Sequence, residues 1–204
     1  DVRQVAIIGF AEHCDQYPRD WEIACFNESW LFVDTDEDDE PIYDRLYELH
    51  GPLTISTREE HHWHLQETEK PVYAFHPRDD WPSAVQLDPE PLLAEFCPAG
   101  PYMTNTVSWI IAHLLSEGVD EIGLYGLDFA TDKEFSHERP SVEYMLGVAH
   151  GRGVKITMPA ESDLLRCSVL YGVDDGETLI EAKLLAELNR MRKYPDNAEC
   201  CGAA

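Results

Sequence analysis

Polar residues gather where the apolar pattern of this chain breaks: Gly9 with Glu12 and His13, Asn27 with Glu28, His50, Thr104 with Asn105, and Gly126 with Asp128. Each group borders a short apolar run, so together they would form a polar ring along one sheet edge, where open α/β sheets take their ligands. The backbone N–H groups from Thr104 to Thr106, with the hydroxyls, have the chemistry of a phosphate or carboxylate cradle at a helix start. A plain N-cap uses the same residues. Asn27 offers a donor and an acceptor that could read a base or ribose edge, or it only ends a strand in a turn. His137, in the loop beyond Asp128, could be a general base carried by a mobile lid; the alternative is an ordinary exposed loop histidine. Arg139 beside it could neutralise a phosphate or pair with one of the many acids.

Other chemistries fit less well. In His61-His62-Trp63-His64 adjacent histidines project in different directions and no second cluster has matching spacing, so the stretch reads as a surface helix and no metal site is expected. The acidic run from Val33 to Pro41 lacks the spacing and glycine of a calcium loop and reads as a solvated loop. There is no Walker loop, Gly9-Phe10-Ala11-Glu12 lacks the further glycines of a dinucleotide fingerprint, and no GxSxG elbow occurs. No cofactor is expected. Cys14, Cys25, Cys97, Cys167, Cys200 and Cys201 show no CxxC spacing, which argues against a zinc site or disulfide framework. The first four read as buried free thiols, the last two as an oxidation-prone pair.

The elements that would position the polar ring follow from periodicity. Val5 to Gly9 is a continuous apolar run entering a glycine, as a buried parallel strand does. Trp21 to Phe26 reads as a second strand, Tyr43 to His50 as a third with alternating apolar positions, and Pro71 to Phe75 as a fourth, with a helix over Thr57 to Glu69 between the last two. The proline- and aspartate-rich section from His76 to Pro101 reads as connection, a candidate flap over the site. Val107, Ile110, Ile111, Leu114 and Leu115 recur at helical spacing after a cap at Thr104 or Asn105, with Gly118 ending the helix. Glu121 to Tyr125 is the next strand. A polar loop from Ala130 to Arg139, a helix from about Ser141 to His150, a strand over Val154 to Met158 and a short helix start at Ser162 follow. The alternation calls for an α/β fold, a Rossmann-like, mostly parallel sheet with helices on both faces, plus a C-terminal helix. The expected organisation is a nucleotide-binding domain over residues 1–170 and a helix with a disordered tail over 171–204. Leu179, Ile180, Leu184, Leu188 and Met191 share one face of that helix, which packs on its own domain or pairs with another subunit as a homo-oligomer.

The chain has 204 residues, 44% hydrophobic, enough for one substantial core. Forty acidic residues against 15 basic ones give a formal charge of −25, which repels phosphate backbones, so nucleic acid is a poor partner. An anionic small molecule would need backbone N–H groups or a few arginines gathered locally. No apolar run of about 18 residues occurs and the start reads as a strand, so neither membrane association nor a signal peptide is expected, and a cytoplasmic location is.

In order along the chain, Val5 to His13, Ile23 to Asn27, Thr104-Asn105-Thr106, Tyr125-Gly126-Leu127-Asp128-Phe129 and Val142 to Leu165 resemble the bacterial sialyltransferase-like fold. That group includes CMP-sialic-acid-dependent transferases and 6-hydroxymethylpterin pyrophosphokinase-like proteins. The chain is similar too, and more closely, to uncharacterised Rossmann-like proteins of bacteriophage genomes, which would place it in a host cytoplasm. The resemblance implies a nucleotide- or nucleotide-sugar-binding protein, a glycosyltransferase with Gly9, Asn27, Thr104, Asn105, Gly126 and Asp128 as the nucleotide set and His137 as base. A non-catalytic phage accessory protein that sequesters a nucleotide signal or binds a host protein is the alternative. The first loop departs from the family, with Phe10-Ala11-Glu12 in place of Asn-Gly-Pro.

Overall fold

The computed structural model describes residues 2–51, 58–129, 134–167 and 169–174, with 180, 181, 184, 185 and 188. Seven strands form one sheet: β1 (Gln4–Ile8), β2 (Glu22–Phe26), β3 (Arg45–Tyr47), β4 (Val72–Ala74), β5 (Ala84–Gln86), β6 (Glu121–Tyr125) and β7 (Lys155–Thr157). Their order is β5-β4-β3-β2-β1-β6-β7, and every neighbouring pair is parallel. The apolar run of β1 lies inside this sheet, paired on both sides and covered on both faces: Ile8 pairs with Cys25 of β2 and with Tyr125 of β6. The α/β, Rossmann-like, parallel architecture expected from periodicity is the one observed.

Four helices cover the sheet: α1 (Glu59–Glu67), α2 (Pro89–Phe96), α3 (Thr106–Ser116) and α4 (Arg139–Gly151). Val5, Ile7, Ile122 and Leu124 face one core with the buried sides of α2, α3 and α4, while Ala6, Ile8, Cys25 and Leu46 face a second with Leu65 of α1. Successive strands add outward from β1 to β5, and the chain then returns through α3 to lay β6 against the other side of β1. This reversal makes β1 and β6 the switch point of the topology.

Three expectations fail here in whole or in part. The section from His76 to Pro101 is not only connection: it contains β5 and α2. Pro89 sits in the first helical turn, where a missing N–H costs nothing, and Asp88 caps α2 by accepting from the N–H of Glu90 at 3.0 Å. Leu92 and Phe96 are buried, so the residues that read as loop are a helix entry whose apolar face the core selects. At Ser162 the chain turns, with the Ser162 hydroxyl accepting from the N–H of Leu164 at 3.4 Å, and no helix forms. Of the thiols expected to be buried, Cys25 and Cys97 are, Cys14 is half-buried and Cys167 is exposed.

At the amino ends of β1, β2 and β3 an ion network closes the sheet. Arg3 pairs with Glu22 at 3.0 Å and with Glu117 at 2.8 Å, and Arg45 with Glu22 and, at 2.8 Å, with Glu117. Two of the few basic side chains are thereby fixed at the edge opposite the candidate site.

The chain divides into two units, Asp1–Leu164 and Leu165–Ala204. In the second, residues 180, 181, 184, 185 and 188 are helical, and Ile180, Leu184, Leu185 and Leu188 are exposed. Leu179, Met191 and the tail expected to be disordered, with Cys200 and Cys201, lie outside the described residues. Among the described residues no helix is long and apolar enough to cross a membrane.

Candidate functional site

The loops leaving β1 and β6 meet at the switch point. The N–H of Gly9 donates to the carbonyl of Tyr125 at 2.8 Å, and that of Ala11 to the carbonyl of Gly126 at 2.9 Å. A Cβ on Gly9 would lie 2.3 Å from the Gly126 carbonyl oxygen, and one on Gly126, whose φ is +68°, would lie 2.6 Å from the Cβ of Cys14. Both glycines are therefore demanded by the approach of one loop to the other. The N–H of Gly9, a candidate ligand donor, is already committed to the sheet edge. Asp128, two residues on, is buried.

Asn27 ends β2 in the left-handed region, with φ 49°, and opens a 3-10 helix over Asn27–Phe32. Ser29 fixes that turn by accepting from the N–H of Phe26 at 2.9 Å. Among the described residues nothing donates to the buried Oδ1 of Asn27, although the residue itself is half-buried. A buried amide oxygen without a donor costs about 1–3 kcal/mol, and positive φ outside glycine adds strain of a kind that gathers at ligand sites. Phe10, on the β1 loop, meets Phe26 and Phe32 edge-on at 5.2 and 6.0 Å, joining the β1 and β2 loops.

Thr104 and Asn105 are brought together with Ser141, which the sequence alone did not single out as a partner. The hydroxyls of Thr104 and Ser141 are 2.7 Å apart. Asn105 caps α3 by accepting from the N–H of Ser108 at 2.9 Å, while its amide donates to the carbonyl of Glu138 at 2.8 Å and to Ser141 at 3.2 Å. The N-cap alternative is thus realised, and the side chain fastens the start of α4 to the start of α3. Replacing Asn105 by alanine is expected to lower stability by about 1–2 kcal/mol, from the lost cap and the lost amide hydrogen bonds to Ser141 and to the Glu138 carbonyl, which keeps the Ser141 hydroxyl at 3.1 Å. Urea unfolding checks it: an unchanged midpoint would show that the amide holds nothing.

His137 lies on a π-helical turn, Glu134–Glu138, directly before the residue that Asn105 anchors, and it is exposed. The part of the expected lid from Ala130 to Lys133 lies outside the described residues. Arg139 takes its second alternative: it pairs with Glu143 at 2.8 Å and donates to the carbonyl of Asp163 at 2.6 Å.

One group of residues at this edge departs from the expected surface helix. α1 is not a plain surface helix, because His61 is fully buried and its Nε2 lies 2.7 Å from Oε2 of the equally buried Glu48, one residue beyond β3. Oε1 of Glu48 accepts from His50 twice, from Nδ1 at 2.8 Å and from the backbone N–H at 3.2 Å. On the far side of His61, Nδ1 lies 3.1 Å from the indole N–H of Trp30, whose ring stacks on His64 at 3.9 Å. Burial alone would push the Glu48 carboxyl up, but the hydrogen bonds from His50 and His61 outweigh it and hold the group down at about 2. His50 is raised, chiefly by its hydrogen bond to Glu48, with Glu28 adding to the effect. Burial, with His61 nearby, pulls His64 down to about 4. The signal in the sequence was the helical spacing of His61 and Leu65, which places both on the sheet side of α1.

No family model matches the chain, and no curated protein matches it in sequence. Solved structures do match. The monofunctional α-2,3-sialyltransferase Cst-I from Campylobacter jejuni is 12% identical, with 92% of this chain and 95% of that chain covered at a TM-score of 0.52. The sialyltransferase CstII from the same organism, in complex with the substrate analogue cytidine-5'-monophosphate, is 13% identical, with 88% and 98% covered at 0.50. CST-II with a trisaccharide acceptor and CMP is 16% identical, with 76% and 80% covered at 0.50. Across most of its length, then, the chain shares the Rossmann-like α/β fold of these sialyltransferases.

Proposed function

We propose that the chain binds a nucleotide or nucleotide-sugar at the carboxyl edge of its sheet and acts as a sialyltransferase-like glycosyltransferase. Gly9, Asn27, Thr104, Asn105, Gly126 and Asp128 surround the nucleotide on this reading, and His137 takes the acceptor's proton. The observation that carries it is the unanswered Oδ1 of Asn27, beside the switch point where such folds bind ligands. A ligand N–H or O–H there repays the burial that the free protein leaves uncompensated. The fold supports it further, since the neighbours include complexes with CMP and with a trisaccharide acceptor. Because the side chains of Thr104 and Asn105 hold the helix start, the groups offered to a phosphate are the first-turn N–H groups of α3, Thr106 and Val107, which have no partner within the helix. In a chain of charge −25 such fixed dipoles suit an anion better than arginines such as Arg19, Arg78 and Arg139, which neighbouring acids engage.

Calorimetric titration with CMP, UDP and their sugar conjugates tests the reading, with Asn27→Gly as the informative variant. Glycine keeps the left-handed backbone and removes only the amide, so the melting temperature should move by no more than about 2 °C while affinity falls about tenfold. Absence of binding to every nucleotide, or equal affinity in the variant, would overturn it.

A further inference from the structure

We propose that His50 is a second general base of this site, its Nε2 offered at the carboxyl edge of the sheet while the buried chain Trp30–His61–Glu48 keeps the proton on its Nδ1. The hydrogen-bond inventory dictates the direction of every link. An indole N–H can only donate, so Nδ1 of His61 accepts from Trp30 at 3.1 Å and a neutral His61 carries its proton on Nε2. That proton is donated to Oε2 of Glu48 at 2.7 Å. Glu48 is then an acceptor at both oxygens, and Oε1 receives the backbone N–H and the Nδ1–H of His50 at 3.2 and 2.8 Å. In the neutral ring the lone pair is left on Nε2. This nitrogen has no partner among the described residues, and the His50 side chain is 39% exposed while those of Glu48 and His61 are 0% exposed.

A carboxylate that orients an imidazole through one nitrogen so that the other can take a proton is a recurrent device of general-base catalysis. Burying Glu48 costs several kcal/mol that an apolar side chain in the same space would not, and what the carboxylate does with its lone pairs is hold two imidazoles. His50 also stands in the right row. β3 neighbours β2, so its carboxyl end adjoins the loop of Asn27 and Glu28, and strand ends lie about 4.8 Å apart along the edge. Among the described residues, the charged and titratable groups at His50 are Glu48, one residue beyond β3, which His61 of α1 meets at its other oxygen with His64 behind it, and Glu28 from the turn after β2. By contrast, among the described residues no side chain orients the ring of His137.

The inference rests on the nucleotide-sugar reading. In this scheme Nε2 of His50, in place of His137, removes the proton of an acceptor hydroxyl or water as that oxygen bonds to the anomeric carbon. The bond from that carbon to the nucleotide's phosphate oxygen breaks, the electron pair departs with the nucleoside phosphate, and the imidazolium returns its proton to solvent. Glu48 and His61 are positioning residues in this scheme.

The test measures nucleotide affinity by calorimetry and release of nucleotide from CMP- and UDP-sugars, from about pH 5 to pH 9, for wild type, His50→Ala, Glu48→Gln and His137→Ala. His50→Ala should keep its affinity within about threefold and lose about 10²- to 10⁴-fold in turnover. In Glu48→Gln the carboxylate charge on the His50 proton is lost and the new amide NH2 must face a donor, at His50 or at Nε2 of His61, so turnover should fall by up to about 10⁴-fold and the acid limb of the rate profile should move to lower pH. A merely structural role would not move that limb. If Glu48→Gln fails to fold, His50→Gln replaces it, since the His50 side chain is no part of the core. Turnover in His50→Ala within about threefold of wild type, a loss confined to His137→Ala, or a wild type that binds nucleotide and turns over no donor overturns the inference while leaving nucleotide binding standing. A wild type that binds no nucleotide overturns the underlying reading, and this inference with it.

Discussion

Alanine at Gly9 is expected to destabilise the fold by about 3 kcal/mol, lowering the melting temperature by about 10 °C. The added Cβ would sit 2.3 Å from the carbonyl oxygen of Gly126 and 2.6 Å from Cδ2 of Leu127. The leucine methyl could rotate away, but the carbonyl is backbone and is fixed by the N–H of Ala11 at 2.9 Å. Relief must come from separating β1 from β6 at their ends, where the N–H of Gly9 bonds to Tyr125 at 2.8 Å. Gly147→Ala is the control. It lies within α4, where a Cβ would meet nothing within 4 Å. There the better helix propensity of alanine should raise stability by up to about 1 kcal/mol. Thermal unfolding of the two variants side by side decides the matter: a Gly9→Ala protein melting within about 2 °C of wild type would mean that the two loops are not locked as described.

The second large effect is on acid stability and comes from Glu48. Its carboxyl is held at about 2 against an ordinary 4.5, so the folded state binds this proton less readily than the unfolded one. The sign follows: the stabilisation, about 3 kcal/mol, is complete above the unfolded value and is lost as pH falls through the folded one. About 2 kcal/mol of it should be gone by pH 3. His50 acts in the opposite sense. Its raised value makes its contribution complete below the ordinary histidine range and lost as pH rises through the folded value, so the cluster is strongest between the two limits. Urea unfolding of wild type and Glu48→Gln at a series of pH values isolates the carboxylate. The stability gap between them should be about 3 kcal/mol near pH 6 and shrink toward pH 3, where protonated Glu48 comes to resemble glutamine. A gap independent of pH would show that the carboxylate's charge contributes nothing to the cluster.

Much of the fold was legible because its signals are local. A parallel strand covered on both faces needs unbroken apolar residues, and β1 and β6 have them; an amphipathic helix needs a cap, a period and a stop, and α3 has Asn105, its buried stripe and Gly118 with φ +78°. α2 was illegible because Asp88, Pro89 and Pro91 are equally at home in a loop and in a first helical turn. Only the burial of Leu92 and Phe96 against the sheet distinguishes the two.

The candidate site divides along the same line. By itself the sequence determined which residues stand at the strand ends and at the start of α3, since Gly9, Asn27, Asn105, Gly126 and Asp128 are placed by the runs that precede or follow them. Tertiary structure alone decided what those residues do. Gly9 and Gly126 turn out to face one another, Asn105 to reach across 33 residues to Glu138, and Asn27 to be left with a buried oxygen and no donor. It also decided that Glu48, which the alternation of a third strand sets among exposed polar positions, is buried with His61 and bonded to the exposed His50. The physical reason is common to all of these. Periodicity records how a segment meets water on average, whereas hydrogen-bond partners and the desolvation that shifts a carboxyl or an imidazole depend on segments distant in sequence, and these meet only when the sheet is assembled.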